Sequence, residues 1–210
     1  VLNWQIVDNH IYLWGYWLLS ILISKLWNNE KLIQISAQYL TAFCMGYAVI
    51  QKAISPTYLD SSFFYYTILT DDRLSFIGKL IQYDMKSVIK ENYQNIDVMM
   101  SNAEPVILNS GPWIIKPISI FLTWYTIIIE ALVSIIFFLK KSSVYFWQHL
   151  LLILFCTIYI LLPVKGFAFT LLIFGFSNVK KEDVSLKLIY LLFILYMFSL
   201  SILLKTVLIN

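Results

Sequence analysis

The chain has 210 residues, of which 60% are hydrophobic and 13% are charged, and its formal net charge at pH 7 is +3. Soluble domains carry roughly 25% charged residues, so this composition cannot cover a water-facing surface and indicates a membrane protein. The few cations are scattered along the sequence without a basic tract of the kind that suits nucleic acid, so we predict no nucleic-acid partner.

The residues that usually bind metals or carry out redox chemistry do not form a motif. Cys44 and Cys156 lie in separate apolar runs without a CxxC pair, and His10 and His149 are far apart. The sequence contains no HExxH motif, no GxGxxG motif and no P-loop. We therefore predict no metal and no nucleotide cofactor, and we interpret both cysteines as small buried apolar residues.

Five apolar segments are predicted to cross a membrane as helices, for which about 20 residues are needed. We expect no removable signal peptide before the first of them. A sixth apolar stretch, residues 166–178, covers about half a span and is predicted to be re-entrant or interfacial. The five predicted spans are residues 11–26, 32–50, 117–139, 144–164 and 186–208.

A long insertion separates the second span from the third. Residues 57–81 mix aromatic side chains with Asp, Ser and Thr, which predicts one or two amphipathic helices lying on the membrane. Residues 82–113 are hydrophilic and are predicted to form an extramembrane cap or loop. The predicted fold class is therefore all-α: a single domain over residues 1–210, a polytopic helical membrane bundle of about five spans.

Lysines in short loops predict the orientation. One side of the predicted bundle carries cations with Glu30 as the only nearby acid, whereas the other side mixes cations and acids. We predict that the first side is cytoplasmic and that residues 82–113 lie on the outer face. Lys180 and Lys181 oppose this assignment. The cations of the first side are Lys25, Lys31, Lys140, Lys141 and Lys205.

Glu130 lies near the middle of the third span among aliphatic residues. An acid at the centre of a bilayer costs at least ~2.5 kcal/mol, so we expect Glu130 to face protein rather than lipid. Thr126 and Ser134, one turn away on either side, are candidate hydrogen-bond partners, and His149 comes close in depth if spans three and four form a hairpin. Glu130 either joins helices as a neutral acid or takes part in proton transfer or substrate binding.

Lys52 ends the second span and is followed by Pro56 and an aromatic run. A lysine at this position can be an interfacial anchor whose charge favours the helix C-terminus. It can also be a base, if its amine is partly buried beneath the aromatic residues. In that case a cavity should reach Lys52, and its predicted lining residues are Tyr47, Phe63, Phe64 and Tyr66, with His149 as a further ligand-binding candidate.

The segment Gln51-Lys52-Ala53, followed by Ser55, Pro56, Tyr58 and Leu59, resembles the membrane part of vitamin K-dependent γ-carboxylase. It is also similar to the horizontally transferred transmembrane (HTTM) domain of bacterial proteins and, more loosely, to DoxX-like membrane proteins. The resemblance implies that Lys52 is a catalytic base acting on a reduced quinone, with Glu130 as the acid of a later helix. It further implies a bacterial inner (plasma) membrane.

Two functions are predicted from these observations. The first is an HTTM-like membrane protein that binds or acts on a quinone or a lipid-like ligand through Lys52 and Glu130. The alternative is a non-catalytic membrane subunit or accessory protein that packs against partner membrane proteins. A transporter is disfavoured, because no pair of broken helices repeats in the sequence.

Overall fold

The computed structural model describes residues 9–102, 105, 107–139, 142–161 and 165–209, and this part of the chain is all-helical, which confirms the predicted class. Two 3₁₀ turns, Asp72–Leu74 and Ser142–Val144, join its longer elements. In chain order the α-helices are α1 Asn9–Leu26, α2 Lys31–Ile54, α3 Pro56–Leu59, α4 Ser62–Thr70, α5 Phe76–Ile81, α6 Met85–Asn102, α7 Ile115–Phe138, α8 Tyr145–Leu161, α9 Lys165–Asn178 and α10 Val184–Ile209.

Local chemistry explains where α1 and α2 end. Asn28 has a φ of 49°, a left-handed conformation that Asn tolerates, and it terminates α1. The side-chain oxygen of Asn29 then accepts a hydrogen bond from the backbone N–H of Lys31 and so caps α2. Pro56 forces Ser55 into an extended conformation and separates α2 from α3.

The backbone divides into two compact units, although the sequence analysis treats the chain as one domain. Unit 1 comprises the described residues of Val1–Tyr47 and Glu130–Asn210, and unit 2 comprises those of Ala48–Ile129. The boundaries fall inside α2 and α7, so each of these helices contributes one part to each unit.

Helix α9 is the central helix of unit 1 and contacts α1, α8 and α10. It runs antiparallel to α10, because Gly175 faces Tyr190 while the ring of Phe169 packs on that of Phe198. It runs parallel to α1, because Trp17 packs on Phe174 while Glu30, shortly after α1, forms an ion pair with Lys181, shortly after α9. Buried residues extend over more than half of the circumference of α9 as a result, whereas Phe169 and Ile173 on the remaining side are half-buried and Phe176 is exposed. The buried residues are Ala168, Thr170, Leu171, Leu172, Phe174, Gly175 and Asn178.

Polar groups are enclosed inside unit 1, whereas its outward faces are apolar. Several buried side chains carry polar atoms, namely Ser24, Thr41, Glu130, Ser134, Gln148, His149, Thr170 and Asn178. The exposed faces of α1, α2, α8 and α10 instead include Leu18, Leu19, Leu22, Ile35, Phe43, Trp147, Leu150, Leu154, Leu188, Leu192, Leu195 and Phe198.

Unit 2 contains the insertion that the sequence analysis divides into amphipathic helices and a polar loop. Three short helices, α3 to α5, occupy residues 56–81, and most of the predicted loop is the 18-residue helix α6. Met85, Val88, Ile89 and Asn92 of α6 recur at helical spacing and are buried, and α6 contacts α4 and α5. The predicted loop at 82–113 is thus largely a helix with one packed face.

Two helices, α2 and α7, combine the length and the apolar composition of a membrane span. Four other described helical stretches are apolar but shorter: Ile11–Leu26, Tyr145–Thr157, Gly166–Asn178 and Val184–Ser199. The predicted five-span bundle is therefore matched by two helices of full length. Lys140, Lys141 and Pro163, on which parts of the predicted topology rely, lie outside the described residues.

Candidate functional site

Lys52 lies in the last turn of α2, within unit 2, and is half-buried. Its Nζ atom lies 5.3 Å from the centre of the Tyr58 ring, which belongs to α3. At this distance the face of an aromatic ring attracts an ammonium group. Tyr58 follows Pro56 by two residues, so the turn imposed by the proline places this ring over the amine.

Tyr58 connects Lys52 to two of the predicted site residues. The rings of Tyr58 and Phe63 are stacked with centroids 4.8 Å apart, and Phe64 meets Tyr58 edge-on at 5.7 Å. Phe64 is buried, whereas Phe63 is 46% exposed. We call Tyr58, Phe63 and Phe64 the aromatic cluster. Tyr58 is not among the predicted site residues, although a ring just after the proline was the available signal in the sequence.

A separate cavity of about 560 Å³ lies in unit 2, and Phe63 and Tyr66 are among its lining residues. Lys52 does not line it, and the remaining lining residues are Thr67, Thr70, Asp71, Asp72 and Tyr93. Two of the predicted ligand-binding aromatic residues therefore face an acidic cavity. The predicted cavity combines Lys52 with Tyr66, whereas in this cavity Tyr66 is present without Lys52.

Glu130 is 1% exposed, which confirms that it faces protein. Its predicted partners use their hydroxyl hydrogens elsewhere: Thr126 donates to the backbone oxygen of Thr123, and Ser134 donates to that of Ala42 at 2.8 Å. The Ser134 bond joins α7 to α2 within unit 1. A role of Glu130 in chemistry stays a prediction.

His149 lies in a buried polar network that the sequence analysis did not foresee. Its Nδ1 is 2.9 Å from the Tyr190 hydroxyl, and its Nε2 is 3.3 Å from Nε2 of Gln148. The Gln148 amide also donates to Oδ1 of Asn178 at 3.0 Å, and Asn178 donates to the backbone oxygen of Gln34 at 3.1 Å. An amide nitrogen only donates, so Nε2 of His149 accepts and Nδ1 carries the proton that is donated to Tyr190.

This network joins four helices of unit 1, α2, α8, α9 and α10. Both ring nitrogens of His149 are engaged, by Tyr190 and by Gln148. Helices α9 and α10 pack against α8 and supply polar groups of their own. The register of the packed helices brings these polar groups together. Because the groups lie far apart in the sequence, no local pattern indicated that they would meet. A contact between His149 and Glu130 stays a prediction.

The seven predicted site residues are divided between the two units. Lys52, Phe63, Phe64 and Tyr66 belong to unit 2, and Tyr47, Glu130 and His149 belong to unit 1. Tyr47 is 64% exposed on α2. Within unit 2, Lys52 and the aromatic cluster are brought together. Within unit 1, His149 has polar partners that were not predicted.

A second cavity, of about 710 Å³, lies in unit 1 where the α1–α2 and α9–α10 turns meet. We call it the basic cavity, because five lysines and two glutamates line it and leave a net charge of +3. One of these glutamates, Glu30, forms an ion pair with Lys181. The hydrogen bond and the charge of Lys181 hold the pKa of the Glu30 carboxyl below its ordinary value. The lysines are Lys25, Lys31, Lys180, Lys181 and Lys187.

Comparison of the chain with protein-family models, with curated proteins and with solved structures finds no match. The resemblance to the HTTM and γ-carboxylase membrane regions therefore stays a prediction from sequence. The geometry of the chain's own residues is what supports a function.

Proposed function

We propose that the protein is an integral membrane protein that acts as a non-catalytic helical component of the membrane, in contact with lipids and with partner membrane proteins. One observation carries this proposal: in unit 1 many large apolar side chains are exposed on the outward faces of the helices, while polar side chains such as Glu130, Gln148 and His149 are buried. A soluble monomer rarely exposes contiguous apolar patches beyond a few hundred Å². In a bilayer the same faces contact acyl chains, and buried polar groups join helices.

The arrangement of unit 1 supports six crossings rather than the five predicted. Helix α9 runs beside α1 and opposite to α10, so the turn between α9 and α10 lies at the same end of unit 1 as the turn between α1 and α2. Lys180 and Lys181 then join Lys25 and Lys31 at one end, which removes the conflict in the predicted orientation and favours a cytoplasmic location for that end. Lys205, near the far end of α10, moves to the opposite side.

This topology predicts a specific pattern of cysteine labelling. In a Cys44→Ala/Cys156→Ala background, single cysteines replace Ser101 in α6, Ser143 between α7 and α8, and Glu182 between α9 and α10. We expect an impermeant thiol reagent to label the Ser101→Cys variant in intact cells. The other two variants should be labelled only after the cells are permeabilised, because both turns face the cytoplasm.

The two internal sites act as controls for each other. Labelling of Glu182→Cys in intact cells, with Ser143→Cys protected, would show that α9 does not cross and would restore five spans. Recovery of the protein in the soluble fraction after cell lysis would contradict membrane integration altogether. The bacterial inner membrane as the location, with residues 82–113 outside, stays a prediction that the Ser101→Cys variant tests in part.

The contact between Lys52 and the aromatic cluster favours a second candidate function. The amine of Lys52 lies against Tyr58, which is stacked on Phe63, so amine and rings are adjacent, as a site for a quinone or a lipid-like ligand requires. In this candidate Lys52 removes a proton from the ligand while the rings pack on it. In the non-catalytic proposal Lys52 is a charged anchor at the end of α2.

Replacing Lys52 with Arg separates these two functions. Arg keeps the positive charge and stacks on Tyr58, but it cannot lose its proton near neutral pH. If Lys52 is an anchor, Lys52→Arg should complement the phenotype of a gene deletion fully. If Lys52 is a base, Lys52→Arg should be as inactive as Lys52→Ala at equal membrane abundance. Lys86→Ala, at an exposed position on α6, is the matched control.

A further inference from the structure

The basic cavity of unit 1 is not explained by helix packing. Lysines at the ends of helices normally extend into water separately, whereas here five of them line one cavity together with the side chains of Ser24 and Gln34. Only Lys181 has a carboxylate partner in the described part of the cavity, and the net charge of the lining residues is +3. A cavity with this charge attracts an anion.

The recess results from the length of α9. Asn178, the last residue of α9, bonds to Gln148 and Gln34, which are each the fourth residue of their own helices, α8 and α2. Helix α9 therefore stops about one turn, or about 5 Å, short of its neighbours. Phe176 and Ser177 near its end line the cavity. The lysines surround a depression whose lower part is lined by apolar residues and by uncharged polar residues.

Aromatic residues place this end of unit 1 at the level of lipid headgroups. Trp27, which follows α1 directly, is 71% exposed, and Trp147, in the first turn of α8, is 60% exposed. Tyr145 accepts a hydrogen bond from the backbone N–H of Lys180 at 2.9 Å. Exposed Trp and Tyr prefer the boundary between hydrocarbon and water. The cavity thus opens where the phosphate groups of a bilayer lie.

We propose that the basic cavity binds the phosphate-bearing headgroup of an anionic phospholipid, with Lys25, Lys31 and Lys187 around the phosphate. Basic pockets between membrane helices on the cytoplasmic side recognise anionic headgroups in this way. Glu30 limits the affinity, because it neutralises Lys181. The inference rests on the proposed membrane placement, which the cysteine labelling tests independently.

The test uses the full chain purified in a neutral detergent. Phosphatidylglycerol, phosphatidylcholine or inorganic phosphate is added, bound lipid is counted by native mass spectrometry, and Tm is measured. We expect phosphatidylglycerol to bind and to raise Tm, and the other two to do neither. Lys25→Gln/Lys31→Gln should weaken phosphatidylglycerol binding by about tenfold or more, whereas Lys79→Gln/Lys86→Gln, with exposed lysines of unit 2, should leave it unchanged.

Glu30→Gln provides a variant whose effect cannot arise from misfolding. It removes a negative charge from the cavity and releases Lys181, so it should tighten phosphatidylglycerol binding severalfold. Equal binding of phosphatidylcholine, or unchanged binding by Lys25→Gln/Lys31→Gln, would overturn the proposal. An equal rise in Tm with inorganic phosphate would assign the cavity to a free anion instead. If the cysteines are labelled as expected but no anionic lipid binds, this inference fails while the proposed function stands.

Discussion

Glu130 and His149 are both almost fully buried, but their surroundings could be predicted to different extents. The burial of Glu130 follows from its place in the sequence, because aliphatic neighbours put it at mid-span, where exposure to lipid is costly. The partners of His149 depend on the register of α8 against α9 and α10. Tyr190 lies 41 residues away in the chain, and no local pattern links the two.

We expect Glu130→Gln to fold and Glu130→Lys to fail. The amide of Gln has nearly the shape of a carboxyl group and can keep a hydrogen bond, so the free energy of unfolding should change by about 1 kcal/mol or less. Lys would place an uncompensated cation in a buried position, which costs about 3–5 kcal/mol. Size-exclusion profiles and Tm in detergent measure both variants. Loss of assembly in Glu130→Gln would show that the fold requires the carboxyl group itself.

At the scale of the helix, the length of α9 and its surroundings favour different interpretations of the same segment. Its 14 residues span about 21 Å, which is less than the hydrocarbon thickness of about 30 Å, and for this reason the sequence analysis predicted a re-entrant or interfacial segment. That requirement applies to a helix surrounded by lipid. Helix α9 is covered by protein over more than half of its circumference. A neighbouring side chain also bonds to the backbone just past its end, where Nε2 of Gln34 donates to the backbone oxygen of Val179 at 3.4 Å.

Close packing of α9 predicts an asymmetric response to Gly→Ala substitutions. A Cβ at Gly175 would lie 2.5 Å from the Tyr190 hydroxyl and 2.7 Å from Leu152, whereas a Cβ at Gly15 in α1 would meet nothing within 4 Å. We expect Gly175→Ala to lower the free energy of unfolding by about 1–3 kcal/mol. Gly15→Ala, the control, should be neutral or slightly stabilising, since Ala favours helices.

Thermal unfolding in the same detergent compares these two variants. Equal Tm values for Gly175→Ala and Gly15→Ala would mean that α9 and α10 pack less closely than the structure shows, and the central position of α9 would have to be abandoned.

At the scale of the whole molecule, the composition of the sequence predicted most of the regular secondary structure. It indicated an all-α membrane protein, and the predicted span at 117–139 lies within two residues of α7 at both ends. The helix α6 was available from the sequence as well, since Met85, Val88, Ile89 and Asn92 recur at helical spacing, but the polar composition of the segment concealed it. The division into two units could not be predicted from the sequence, because it depends on contacts between segments that are distant in the chain.

The central position of α9 also has a consequence for biosynthesis. A ribosome releases α1, α2, α7 and α8 before α9 and α10, so the helix at the centre of unit 1 enters after most of the helices that surround it. Until then Gln148 and His149 lack their partners, Asn178 of α9 and Tyr190 of α10. The nascent bundle must remain open, or be held open by another membrane factor, until the last two helices are made, and unit 1 closes from its centre only at that stage.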